Sequence, residues 1–259
     1  MTTKTSRPVG ELLRGWRDRR RWSQLDLASR AGVSTRHLSF VETGRSRPSR
    51  EMLLRLADEL EVPLREQNLL LLAAGYAPVY TETPVTSDAL ATVMDAVRQV
   101  LTAHEPFPAV VVDCRWNLVD ANAGARLLTD GVDPDLLDNV MRATLHPEGL
   151  APRIVNLGEW RAHLLSTLRH QVVHLGDPFL AELLKELTAY PCDQPELLPP
   201  AGQIVVPLRL RYGDGELVFF STLATFGAPM DITVAELAIE SFFPADAATA
   251  HAIRGAGGL

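Results

Sequence analysis

Ser34, Thr35, Arg36 and Ser39 lie within six residues of one another, and Arg45 and Arg47 follow shortly after. Side chains of these types hydrogen-bond to polar edges and anions rather than make and break covalent bonds. A guanidinium donates two parallel bonds and so matches the paired acceptors of a guanine edge, which makes Arg36 the best single candidate for base readout. The hydroxyls of Thr35 and Ser39 are weaker candidates. Arg45 and Arg47, in a loop, suit phosphate contacts that position without specifying. Each of these arginines would serve equally well as a solvated surface charge. Phe40 fits either a core or a thymine methyl group.

No set of residues points to catalysis. The chain lacks a glycine-rich phosphate loop, a nucleophile elbow and a Cys-x-x-Cys pattern. His170 and His174 are four residues apart, as a metal pair can be, yet no third ligand is spaced to complete a site. The expectation is therefore no catalytic residue, no metal and no resident cofactor.

The polar residues need a frame, and the surrounding sequence supplies one. Ser23 and Ser34 are good helix N-caps, since a serine oxygen accepts the free amide protons of a first turn. Gly32 and Gly44 stop the preceding helices, supplying the positive φ that tight turns need. With Leu12, Leu13 and Trp16 on a first helix, and Leu53 to Leu60 on a later one, the first 78 residues read as four or five short helices. The helix from Ser34 to Thr43 turns Thr35, Arg36 and Ser39 outward and Leu38 and Val41 inward.

Residues 10–61 resemble the Cro-like (xenobiotic-response-element) helix-turn-helix family. The carrying residues are Ser23-Gln24, Leu27-Ala28, Gly32-Val33-Ser34, Leu38, Glu42-x-Gly44-x-x-x-Pro48 and Leu53 to Leu60. The resemblance implies that Gln24 contacts the backbone or a base edge, and that Arg17 and Glu42 form a buried ion pair. Elementary electrostatics agrees, because a semi-buried Glu42 is costly without a cation.

Charge divides the chain in the same way. Residues 1–65 carry 14 basic and 8 acidic groups, a net of +6, while the remaining 194 carry 11 and 24, a net of −13. A basic head on an acidic body suggests that the head alone meets a polyanion. Cys114 and Cys192 form no motif and, with no leader-like start, are expected as reduced thiols in a cytoplasm. The most apolar stretch, Leu69–Ala74, is too short to cross a bilayer.

A first domain over residues 1–76, a proline-containing linker over 77–87 and a second domain over 88–250 follow from this reading. In the second domain, Asp88 caps an amphipathic helix, and residues 108–113 and 116–120 read as a hairpin. Asn122 caps the next element. Helices are expected over Leu136–Leu145, Trp160–Val173 and Pro178–Leu187, the last opening with Asp177 and Pro178. Ile204–Tyr212 and Glu216–Thr225 read as a second hairpin across Gly213-Asp214-Gly215. Residues 235–243 fit either a strand or a short helix.

Residues 89–246 resemble the MmyB-like ligand-binding domain, and the opening hairpin is similar to that of PAS-type sensors. Trp116, Leu118, Ala121 and Asn122 carry the resemblance at the start, with Arg142-x-x-x-His146-Pro147 in the middle. Phe226-Gly227-x-Pro229-x-Asp231 and Pro244-Ala245-Asp246 carry it near the end. The segment Tyr190–Glu196 departs from it in lacking a tryptophan. The fold so implied is an all-α helix-turn-helix N-terminal domain plus an α/β (α+β) PAS-like C-terminal domain with an antiparallel sheet. The family is thought to hold fatty-acid-like ligands, and Trp116, Asn122, Met141, Arg142, His146, Trp160, Phe179 and Phe219 are candidates for such a pocket. The apolar members fit an ordinary core as well. Arg142 and His146, four residues apart, could together hold a carboxylate head group.

The expected partners are double-stranded DNA, a small apolar ligand and a second copy of the chain, with no membrane. A C-terminal domain that only dimerises or binds a protein is the alternative.

Overall fold

The computed structural model describes residues 7–196 and 205–256. They form two compact units that meet in sequence between Glu82 and Thr83.

The first unit holds five helices: α1 (Val9–Arg19), α2 (Gln24–Arg30), α3 (Thr35–Glu42), α4 (Arg50–Glu59) and α5 (Leu64–Ala73). Their starts are chemically marked. Ser23 and Asp26 form a reciprocal capping box, while Ser34 accepts from the His37 amide and Ser49 from the Met52 amide. Gly32 and Gly44 adopt φ of 64° and 73°, reversing the chain after α2 and α3. Leu13, Trp16, Leu27, Leu38, Val41, Leu53 and Leu56 interlock in one core. Helix α1 passes so close to the end of α3 that a Cβ on Gly10 would lie 2.4 Å from the Val41 carbonyl oxygen.

The start of the expected linker is tied down. Asn68 on α5 accepts from the Val79 and Tyr80 amides and donates to the Tyr80 carbonyl, and Tyr80 donates to Gln67. Residues 79–80 therefore belong to the first unit, because one side-chain amide satisfies three backbone groups of an otherwise irregular segment.

The second unit opens with a 3-10 turn at Asp88–Leu90 and α6 (Ala91–Ala103). Strands β1 (Ala109–Val112) and β2 (Leu118–Ala121) follow, then α7 (Arg126–Thr129) and α8 (Val140–Leu145). Next come α9 (Leu157–Leu175), α10 (Pro178–Ala189), β3 (Leu208–Tyr212) and β4 (Gly215–Thr225). The unit ends with α11 (Ile232–Glu236), β5 (Ala238–Pro244) and α12 (Ala247–Ala256). The five strands form one antiparallel sheet in the order β2-β1-β5-β4-β3. This is the PAS-like α+β arrangement, with the last strand inserted at the centre.

Several elements differ from the sequence reading. Residues 136–145 are not one helix: the turn at Leu137–Asn139 separates a 3-10 segment from α8, whose cap is the Asn139 side chain accepting from the Arg142 amide. The ambiguous stretch 235–243 contains the end of α11 and most of β5. Strand β3 begins at Leu208, and Ile204 lies outside the described residues.

The pleat of the sheet decides which side chains share a face. Val110, Glu240 and Leu223 are directly opposed on β1, β5 and β4. Val111 and Ile239 point the other way and pack with Met94, Val97 and Leu101 of α6.

Candidate functional site

The head is braced from inside. Arg17 on α1 donates from Nε to Glu42 Oε1 at 2.7 Å and from Nη2 to Oε2 at 2.9 Å, while Nη1 donates to the Trp22 carbonyl at 2.7 Å. Gln24, the first residue of α2, donates from Nε2 to Glu42 Oε2 at 2.8 Å. One buried carboxylate thus gathers α1, α2 and α3. Gln24 spends one of its two amide N–H donors on Glu42, which leaves the other N–H and the carbonyl oxygen for an outside partner.

Helix α3 presents Arg36, which is exposed, beside the half-buried Thr35 and Ser39. The Arg36 guanidinium lies 5.4 Å from the centre of the Phe40 ring, which accounts for that half-buried aromatic. The Ser34 oxygen is committed to its cap. Arg45 is exposed in the loop after α3. Arg47, named from the sequence for phosphate contact, is exposed and tied along one edge of its guanidinium. It donates from Nε and Nη2 to the Ala74 carbonyl at 3.0 and 2.6 Å and lies 4.9 Å from the Tyr76 ring, whose hydroxyl donates to the Pro48 carbonyl. A cation beside the open carbonyls at the end of α5 stabilises that terminus.

In the body, a cavity opens between the sheet and α8 and α9. The space accessible to the centre of a water-sized sphere is about 80 Å³, several times the roughly 10–15 Å³ that one water needs. Trp116, Met141, Trp160 and Leu164 line it, together with Val110, Leu208, Glu240 and Phe242 of the sheet. Trp116, Met141 and Trp160 are thus brought together as a wall.

The other five sequence candidates stand elsewhere. Asn122 is buried and structural: its oxygen accepts from the Ala109 and Ala125 amides, and its nitrogen donates to the Leu101 and Phe107 carbonyls. Arg142 makes two bonds to Glu186, both at 2.8 Å, and Tyr190 donates to the same carboxylate at 2.6 Å. The Arg142 guanidinium, helped by the Tyr190 hydroxyl, holds the Glu186 carboxyl below its usual range; burial, with the Glu186 bond, pushes the Tyr190 hydroxyl up to about 12. His146 is not on the helix face of Arg142 but one residue past it. Its Nδ1 accepts from the Glu148 amide, and its ring meets Tyr190 edge-on. No carboxylate clamp of Arg142 and His146 forms, because an internal carboxylate already occupies the guanidinium. Phe179 packs near Arg115 and Arg142, and Phe219 is fully buried against Phe242.

Glu240 is the residue that sequence reasoning missed. It lines the apolar cavity, accepts from Ser221, and burial raises its carboxyl to about 7. Its signal was an acidic residue inside an apolar run, unreadable until residues 238–244 are known to be a strand. Cys114 offers no nucleophile at neutral pH, since burial, with Glu236 and Asp113 nearby, pushes its thiol up to about 12. Among the described residues no helix is long and apolar enough to cross a membrane.

Comparisons with known proteins meet this geometry at both ends of the chain. Residues 13–67 match the helix-turn-helix family model, and residues 93–255 match that of the MmyB-like transcription regulator ligand binding domain. The curated proteins yield no match. One solved structure, of an RNA-binding light-oxygen-voltage receptor, is 15% identical over 98% of this chain and 62% of that one. Its TM-score of 0.26 carries no argument about fold. With the second model spanning more than half of its length, the chain belongs to the MmyB-like family: a DNA-binding transcription regulator with a helix-turn-helix head and a ligand-binding domain.

Proposed function

We propose that the protein is a homodimeric repressor or activator whose affinity for its operator is set by a small apolar molecule bound in the body. The observation that carries the proposal is the cavity walled by Trp116, Met141, Trp160 and Leu164 within the family's ligand-binding domain. A pocket of this composition favours a mostly apolar guest, with a few polar groups to orient it. In the head, Arg36, Thr35 and Ser39 read base edges, while Arg45 and the N-terminus of α3 at Ser34 contact phosphates. Gln24 fixes the recognition helix through Glu42 and offers its second N–H and its oxygen to the duplex.

Dimerisation rests on geometry: one short recognition helix spans few base pairs, and a two-fold pair doubles the site and fixes its half-site spacing. The ligand acts by favouring one arrangement of the heads over another, which requires a difference in its affinity for the two. The test has two stages. Selection of duplexes from a random pool should return a palindromic sequence, and fatty acids and other apolar compounds are then titrated against that complex. A shift in affinity with one compound class supports the reading. Failure to enrich any sequence sinks the operator half, and unchanged affinity across the panel sinks the ligand half.

A further inference from the structure

Residues 66–259 carry 11 basic side chains. Arg98, Arg115, Arg142, Arg161, Lys185 and Arg209 each meet a carboxylate. Among the described residues, Arg126, Arg153, Arg169, Arg211 and Arg254 form no ion pair. Three of these five line one cleft of about 970 Å³, and Arg254 stands at its edge, next to Ile253 and 5.5 Å from the Phe107 ring. In a body with a surplus of carboxylates, unpaired cations should scatter, so their gathering in one place calls for a reason.

Local structure keeps each of them charged and available. Arg153 donates from Nη1 and Nη2 to the Asp130 and Leu127 carbonyls, both at 2.9 Å, which fixes its guanidinium without neutralising it. Arg211 is opposite Glu216 across β3 and β4, but both oxygens of that carboxylate accept from Arg209. Arg126 is exposed at the start of α7. Two carboxylates, Glu105 and Asp130, also line the cleft, and Glu105 accepts from the Ala123 amide. Tyr212 lines the same cleft, 39% exposed, with no ring or hydrogen-bond partner for its side chain among the described residues.

We propose that this cleft binds a small organic phosphate, with its phosphate groups on Arg126, Arg153 and Arg211 and its planar, uncharged part on Tyr212. The guanidinium fork matches the oxygens of a phosphate in shape as well as charge. Arg153 is already held in place, so little rotamer freedom is lost when an anion arrives. Four arginines against two carboxylates leave an excess of two positive charges, which a phosphate of about −2 balances. The cleft shares only Thr129 with the lining of the apolar cavity, and the proposal stands whether or not that cavity takes a ligand.

The test is calorimetric titration of the full chain with ADP, pyrophosphate and adenosine, in a phosphate-free buffer at low ionic strength. ADP should bind about tenfold tighter than pyrophosphate, as a ring stacked on an aromatic side chain allows, and adenosine should give no heat. Arg126→Glu and Arg211→Glu, both at exposed positions, should each weaken ADP by at least about tenfold. Tyr212→Ala should bring ADP down to the affinity of pyrophosphate. The basic head is the competing home for an anion, so Arg45→Glu is the control and should leave ADP binding unchanged. Absence of heat with both ADP and pyrophosphate overturns the proposal, as does binding that is lost in Arg45→Glu and kept in Arg211→Glu. ADP binding wild-type protein no tighter than pyrophosphate overturns the assignment to an organic phosphate. The ranking of the three compounds on wild-type protein decides the matter even where a variant does not fold.

Discussion

The carboxylate of Glu42, at the last turn of α3, receives the Arg17 guanidinium through two parallel hydrogen bonds across 25 residues of chain. Both side chains are nearly sealed from water, at 10% and 2% exposure. The angle at which α3 leaves the bundle is therefore held by a charge pair shielded from water.

Removing one partner leaves the other charge buried without its two-bond counterpart, Glu42 keeping Gln24, and Arg17 keeping the Trp22 carbonyl and Asp18 at 3.0 Å. Arg17→Met or Glu42→Ala should lower the stability of the head by about 3–5 kcal/mol, whereas replacing both by apolar residues should cost much less. Denaturant titration followed by circular dichroism measures the three variants; equal losses in single and double variants would remove the pair from this account.

Gly10 makes the same junction by contact. A methyl group there would meet the Val41 and Glu42 carbonyl oxygens at 2.4 and 2.6 Å. Gly10→Ala should destabilise the head by roughly 1–3 kcal/mol despite its better helix propensity, as overpacking against backbone does. A melting temperature equal to or above wild type would show that α1 can move away freely.

The three loop and helix arginines should separate by kind of effect. Arg36→Ala should cost about 1–3 kcal/mol of operator binding and relax preference at one base pair, and Arg45→Ala should weaken all duplexes alike while flattening the salt dependence. Arg47→Ala should instead lower thermal stability by roughly 1 kcal/mol, since it removes bonds to Ala74 and a ring contact with Tyr76. Binding isotherms at several salt concentrations, read beside melting curves, distinguish the three.

Glu240 makes stability depend on pH in a direction opposite to that of a salt-bridged carboxylate. Its folded value, about 7, lies above its ordinary value of 4.5, so between those two pH values the folded chain holds a proton that the unfolded chain has lost. Its contribution is full below about pH 4.5, declines as pH rises toward 7 and is lost above that, by up to roughly 3 kcal/mol. Glu240→Gln should flatten this part of the stability–pH curve; a curve of unchanged slope would show that Glu240 does not titrate in that range.

The head was legible because its signals are local. Ser23 and Ser34 cap the helices that follow them, Gly32 and Gly44 turn the chain, and leucines at helical spacing become the core. The body was legible as a sequence of elements and less so as a site. Trp116, Met141 and Trp160 reach the cavity, but Arg142 and His146, chosen for spacing along one helix, turn to Glu186 and Glu148. Spacing says which residues share a face, and it is silent on what that face meets.

The amino-acid order alone determined where the helices of the head start and stop, that a basic head precedes an acidic body, and that two family patterns share the chain. Only the tertiary structure decided that Arg47 closes the end of α5, that Asn68 gathers residues 79–80, and that Glu240 stands in an apolar cavity. The reason is range. Caps and turns act within a few residues, whereas the partner of a charge and the lining of a cavity are set by segments that the chain brings together from tens of residues away.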